Sequence, residues 1–149
     1  PRKIYVASSW RNEHYPSVIR VLRSYGHKVY DFRNPTEDEK GFSWKQIGLE
    51  NTKDHIEYIN KINHPIANYK FNMNALNECD TCLLLLPCGK DAHLEAGYAV
   101  GMCKEVIVFL SKYDFDAGLM YKMITPMYTD IDSVYNYINN LEDTLKNND

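Results

Sequence analysis

No apolar stretch of the sequence approaches the roughly 20 residues that a membrane-spanning helix needs. Charge of one sign is also scarce. The 17 Lys and Arg against 20 Asp and Glu leave a net charge of -3, which gives no electrostatic reason to expect nucleic acid or an anionic membrane as partner. Both glycine signatures of phosphate cradles are missing. No G-x-G-x-x-G follows the first strand-like run, and no G-x-x-x-x-G-K-[ST] occurs, so dinucleotide and P-loop sites lose their main support. Cys79-Asp-Thr-Cys82 has no second C-x-x-C and no H-x-x-x-H to complete it. Cys79 ends a helical pattern and Cys82 lies in a strand pattern, so neither a metal site nor a cofactor is expected. The four cysteines sit in or beside apolar segments, as reduced, buried thiols of a cytoplasmic protein would. Pro1-Arg2-Lys3 leads straight into a strand, which leaves no room for a signal peptide.

What is present suits one globular domain over residues 1–149, with 44% hydrophobic and 25% charged residues and no internal repeat. Twelve tyrosines suit a planar ligand, an oligomer interface or an ordinary core. Ile4 to Ala7 reads as strand one and Ser8 to Asn12 as a polar loop. A helix carrying Val18, Ile19, Leu22 and Tyr25 follows and stops at Gly26. His27 to Phe32 reads as strand two. Thr36 to Gly41 is a polar surface loop or lid. Helical material then runs to Cys79, broken at Pro65. Thr81 to Leu86 is apolar throughout, as a central strand covered on both faces should be. A helix over 92–103, a strand over Glu105 to Leu110, a brief edge strand at Met127 to Thr129 and a final helix from Asp130 or Asp132 complete the chain.

Strands alternating with helices imply an open parallel sheet of four or five strands with helices on both faces. The right-handed crossover rule favours the order 2-1-3-4-5, with the switch point between strands one and three. The loops Ser8–Asn12 and Pro87–His93 then flank one crevice. A carboxylate, Glu95, stands near the start of the helix that follows. With Asp91 as N-cap, the helix dipole would favour its ionised form by about 0.3–1 kcal/mol. An ionised, positioned carboxylate is a candidate nucleophile, although Glu in a first helical turn is also ordinary helix chemistry. Tyr5 lies near the crevice end of strand one. Its buried hydroxyl needs a partner, which a carboxylate across the switch point or a backbone carbonyl could supply. Trp10 and Trp44 could stack on a flat base or simply pack. Gly97 and Gly101 suggest close approach of their helix to the sheet or a neighbouring subunit. His14, His27, His55 and His64 read as surface or helix-end residues.

At these positions the sequence resembles the nucleoside 2-deoxyribosyltransferase family and its relatives, the deoxynucleoside-monophosphate N-glycosidases. The carriers are Lys3-Ile-Tyr5, Ala7-Ser-Ser-Trp-Arg-Asn12, Gly26 to Pro35, Asn77-Glu-Cys-Asp80 and Leu86 to Ala99. The resemblance covers most of Lys3 to Leu110, is most specific at Glu95-Ala-Gly-Tyr-Ala99, and weakens after Ser111.

The resemblance implies a flavodoxin-like (Rossmann-like) fold, no cofactor, a nucleoside or nucleotide and a free base as ligands, and a homo-oligomer. It matches Glu95 to a nucleophile that forms a glycosyl ester, and Tyr5 to the tyrosine holding that carboxylate. The family also grips and protonates the base with aspartates. One of these falls on Asn72 here, which has no carboxylic proton to give. Another falls near Gly89 and Asp91, so Asp91 either takes over that role or only caps its helix. Ser8, Ser9, Arg11 and Lys90 would line the crevice and bind a 5′-phosphate, or the two cations are solvated loop charges. Three functions follow: sugar transfer between bases, hydrolysis with water as acceptor, and nucleotide sensing without turnover.

Overall fold

The chain is described from a computed structural model, over residues 1–61, 66–111, 116–124 and 126–147. The strands are β1 (Lys3–Ala7), β2 (Lys28–Tyr30), β3 (Thr81–Leu85), β4 (Glu105–Phe109) and β5 (Met127–Tyr128). The helices are α1 (Tyr15–Ser24), α2 (Trp44–Ile47), α3 (Thr52–Asn60), α4 (Ile66–Glu78), α5 (Lys90–Gly101) and α6 (Ile131–Asn147), with a 3-10 turn at Leu119–Met123. All five strands run parallel in the order β2-β1-β3-β4-β5. This is the open α/β sheet that the alternation of strands and helices predicts.

β3, apolar beyond Thr81, is buried along its whole length and forms the centre of the sheet. Side chains alternate between the faces of a strand, and two cores result. Ile4, Val6, Leu83, Leu85 and Ile107 pack on one face with Val18, Leu22, Val134 and Ile138 from α1 and α6. Tyr5, Ala7, Cys82, Leu84 and Val108 face the other way, against Leu76 of α4 and Ala92, Ala96 and Ala99 of α5. The two halves of β1 therefore serve two purposes. Ile4 and Val6 anchor it, while Tyr5 and Ala7 look toward α5.

Several expectations change. α5 begins at Lys90 with Gly89 as N-cap, so Asp91 lies in the first turn and caps nothing. α5 approaches the sheet through its alanines. Gly97 and Gly101 fall on the outward side, where an added Cβ would meet nothing within 4 Å, so the sheet does not require them. β2 is shorter than His27–Phe32, and His27 is not a surface residue. It is buried, its Nδ1 accepting from the Arg2 amide at 2.9 Å and its Nε2 paired with Asn139 Oδ1 at 2.7 Å. His64 and the expected break at Pro65 lie outside the described residues.

The segment after β2 is tied back at one glycine. The Gly41 amide donates to the Arg33 carbonyl at 2.7 Å, and a Cβ there would stand 1.9 Å from the Phe32 carbonyl oxygen. Backbone cannot yield as a flexible side chain can. Gly41→Ala should therefore lower stability by about 1–3 kcal/mol, the usual scale for overpacking, read as a fall in thermal midpoint. A variant as stable as the parent would contradict this close approach.

Candidate active site

β1, beside the central strand, holds Tyr5 fully buried and facing α5. α5 in turn brings Glu95 over the sheet, and the Tyr5 hydroxyl donates to Glu95 Oε2. The buried phenol thus finds a carboxylate as its partner. Burial pushes the Glu95 carboxyl up to about 7; the Tyr5 hydroxyl opposes this and the Asp91 charge adds to it. Tyr5 itself is raised well above the ordinary tyrosine range, first by burial and then by the Glu95 charge. The result is a half-buried carboxyl poised between its two protonation states near neutral pH, where perturbed groups do acid, base or nucleophilic work.

The loops after β1 and β3 meet, as the switch-point argument requires. Ser8 Oγ donates to the Leu85 carbonyl at 2.9 Å. Asn12 Nδ2 donates to Ser8 Oγ at 3.0 Å and to the Leu85 and Pro87 carbonyls at 3.3 Å each. Ser9 Oγ accepts from the Arg11 amide at 3.1 Å. Trp10 is committed to packing. Its indole N–H donates to the Phe42 carbonyl at 2.7 Å and its ring meets Phe32 edge-on. Trp44 lies flat on His55, ring centroids 4.1 Å apart. Arg11, Gly89, Lys90 and Asp91 are exposed, and Asp91 is near enough for its charge to act on Glu95.

Asn72, on α4, belongs to the same neighbourhood. Its Oδ1 accepts from the Tyr30 hydroxyl at 2.7 Å. Tyr30 is the register partner of Tyr5 on the adjacent strand, and the two rings stack with centroids 5.4 Å apart and planes 16° apart. Burial raises the Tyr30 pKa, and the Glu95 charge raises it further. A row of side chains therefore runs from Asn72 through Tyr30 and Tyr5 to Glu95.

Sequence reasoning missed Tyr30, because pairing Tyr5 with Tyr30 needs the β1–β2 register. It also missed Asn12 and Arg33. Asn12 had a signal, being a polar residue that closes the loop after β1. Arg33 donates to the Ser9, Trp10 and Asn12 carbonyls at 3.3, 2.8 and 2.9 Å and holds that loop in place. His93 was missed as well. Its Nδ1 contacts the Gly89 carbonyl and its Nε2 the Tyr121 hydroxyl, each at 2.7 Å, pinning the loop before Glu95 to the 3-10 turn. Among the described residues no cluster of three or more His, Cys, Asp or Glu side chains is placed to hold a metal. No helix among them is long and apolar enough to cross a membrane.

No family model matches the chain, and no curated protein does. Its fold is nevertheless shared with solved structures. A 2-deoxyribosyltransferase from Bacillus psychrosaccharolyticus superposes with a TM-score of 0.60 at 20% identity, over 90% of both chains. The Clostridium botulinum CMP N-glycosidase BcmB superposes with a TM-score of 0.52 at 16% identity, over 91% of this chain and 97% of that one. At such identities the likeness is one of fold.

The Glu95 environment makes a prediction about stability. The unfolded chain releases this proton near 4.5 and the folded chain near 7. Between those values the unfolded state binds fewer protons, so stability falls as pH rises and stays lowered above 7. Glu95→Gln removes the penalty. It should match the parent near pH 4 and exceed it above pH 7 by on the order of 2–3 kcal/mol, measured by denaturant melts across pH. A gap that does not change with pH would contradict the raised pKa.

Proposed function

We propose that this protein cleaves the N-glycosidic bond of a (deoxy)nucleoside or its 5′-monophosphate through a covalent glycosyl-Glu95 intermediate, then passes the sugar to a second base. The observation that carries the proposal is the Tyr5–Glu95 hydrogen bond between β1 and α5, together with a fold shared with a 2-deoxyribosyltransferase and a CMP N-glycosidase. A Glu95 oxygen attacks C1′, a C–O bond forms and the C1′–N bond breaks, and its electron pair leaves with the base. The departing base takes a proton from Asp91, the nearest carboxyl in sequence, one helical turn before Glu95. A nitrogen of the second base then attacks C1′, its proton passes to the Asp91 carboxylate, and Glu95 departs as carboxylate. Two inversions give net retention, the logic of retaining glycosidases.

Tyr5 holds the carboxylate in its attacking orientation and lowers its pKa against the effect of burial. Arg11, in the loop after β1, and Lys90, the first residue of α5, are both exposed and suit the 5′-phosphate of a monophosphate. The likeness to the CMP N-glycosidase supports a second reading in which water replaces the acceptor base. Nucleosides and monophosphates incubated with and without a free base separate the two. Transfer gives a new nucleoside, whereas hydrolysis gives free sugar at the same rate either way. No turnover of any compound would leave nucleotide sensing as the surviving function.

Glu95→Gln should abolish turnover while remaining folded. Tyr5→Phe should slow it about ten- to hundredfold, the worth of one hydrogen bond to a charged group. The parent rate should rise with pH through about 7, as Glu95 ionises, and Tyr5→Phe should move that midpoint upward. Retained activity in Glu95→Gln would remove the nucleophile assignment.

Asp91→Asn supplies a separate check. General acid help is worth about 10²–10⁴ in rate, so the variant should slow bases that need protonation far more than an activated leaving group. Equal slowing of both would assign Asp91 to the helix dipole alone.

A further inference from the structure

Tyr5 has two neighbours across the sheet, and only one of them can hold a ring in place. Its register partners are Tyr30 on β2 and Cys82 on β3. The Cys82 side chain is small and offers no flat face. Tyr30 stacks on the Tyr5 ring, with centroids 5.4 Å and planes 16° apart, inside the range at which aromatic pairs gain more than their burial alone. Tyr30 stands on a three-residue edge strand, a weak support for a ring. Its hydroxyl is tied across to α4, where it donates to Asn72 Oδ1 at 2.7 Å.

What Tyr30 supports in this way is the bond to Glu95. Glu95 Oε2 accepts from Tyr5, while Oε1 makes no hydrogen bond among the described residues and is not sealed from solvent. The carboxyl is held by one oxygen and open at the other, so a shift of Tyr5 turns the open oxygen as well. The titratable groups coupled to Glu95 are Asp91 on α5, Tyr5 on β1, Tyr30 on β2 and Cys82 on β3. α4 adds no charge to this row, because its member Asn72 is an amide.

We infer that Tyr30 is a positioning residue for Glu95: anchored by Asn72, it keeps Tyr5 in the place from which the Tyr5 hydroxyl holds the carboxyl. Groups that orient a reacting side chain work when they are themselves fixed by packing and by a further hydrogen bond. Tyr30 has both, the first from Tyr5 and the second from Asn72. The Tyr5 bond favours the ionised carboxylate, so loss of Tyr30 acts on Glu95 through Tyr5. The consequence for rate rests on the proposed attack by Glu95, whereas the holding of Tyr5 does not.

The test reads Glu95 in two ways. Denaturant melts across pH, each paired with the same variant carrying Glu95→Gln, give the midpoint of the Glu95 titration without any substrate. The pH dependence of kcat and KM gives it again for any nucleoside or monophosphate that is turned over. Tyr30→Leu removes the ring and the hydroxyl, whereas Tyr30→Phe keeps the stack and loses only the tie to Asn72. The Glu95 midpoint should rise by about 0.5–1 pH unit in Tyr30→Leu, part of what a whole hydrogen bond to a charged group is worth, and by less in Tyr30→Phe. In Tyr30→Leu kcat should fall about three- to tenfold with KM nearly unchanged, since a small misplacement of reacting groups is felt in the chemical step. Tyr30→Phe should recover most of that loss. In a Tyr5→Phe background there is no hydroxyl left to place, so Tyr30→Leu should move the midpoint no further. A Tyr30 that only supports the fold would lower the thermal midpoint and leave the Glu95 midpoint in place, which would overturn the inference. An equal shift in the Tyr5→Phe background would overturn it too. If no compound is turned over and the melts behave as described, the cleavage reading fails and the positioning stands. If turnover needs Glu95 but its midpoint ignores Tyr30, the positioning fails and the cleavage reading stands.

Discussion

A phenol hydroxyl buried within a sheet must find an acceptor or leave a buried polar group unpaired, at a cost of about 1–3 kcal/mol. In this chain the acceptor for Tyr5 is the carboxyl of Glu95, ninety positions away in sequence. The bond links β1 to α5. It also keeps a carboxyl group in surroundings that raise its pKa to about 7. Neither partner makes sense alone. A buried Tyr5 without Glu95 would be unsatisfied, and a half-buried Glu95 without Tyr5 would be protonated still more readily.

The remainder of the site ties down the loops around that pair. Ser8 and Asn12 bind the loop after β1 to the Leu85 and Pro87 carbonyls at the end of β3, and Arg33 ties the same loop to the segment after β2. Backbone ends at a switch point would otherwise be left to water. Their capture by side chains fixes both loop positions without a metal or a disulfide among the described residues. On the other side, His93 links the loop before Glu95 to Tyr121. The loops thus take their shape from hydrogen bonds, while Glu95 is carried by a helix packed on the sheet through Ala92, Ala96 and Ala99.

The sheet was legible because its signals are one-dimensional. The unbroken apolar run of β3 requires cover on both faces, and that makes it central. The alternation in β1 assigns Tyr5 to one face and Val6 to the other. Strand–helix alternation and crossover handedness then leave few orders to choose from. Glu95 was legible for a related reason, since it stands just beyond the central strand. Tyr30 was not, because its meaning depends on register with Tyr5 across a three-residue strand. His27 was misjudged because a lone polar residue gives no hint of partners as distant as Asn139. The N-cap of α5 was placed at Asp91 on side-chain preference, yet Gly89 occupies it without a side-chain bond. The glycine pair of α5 shows the same limit. Helical spacing puts Gly97 and Gly101 on one face but does not say which face meets the sheet.

The central claim is that Glu95 becomes covalently attached to the sugar. Acid-quenching the protein during turnover of a deoxynucleoside, followed by peptide mass analysis, tests it directly. The account predicts the added mass of one deoxyribosyl group on the peptide containing Glu95, absent from Glu95→Gln. Steady turnover with no such adduct, or an adduct on a different residue, would contradict it.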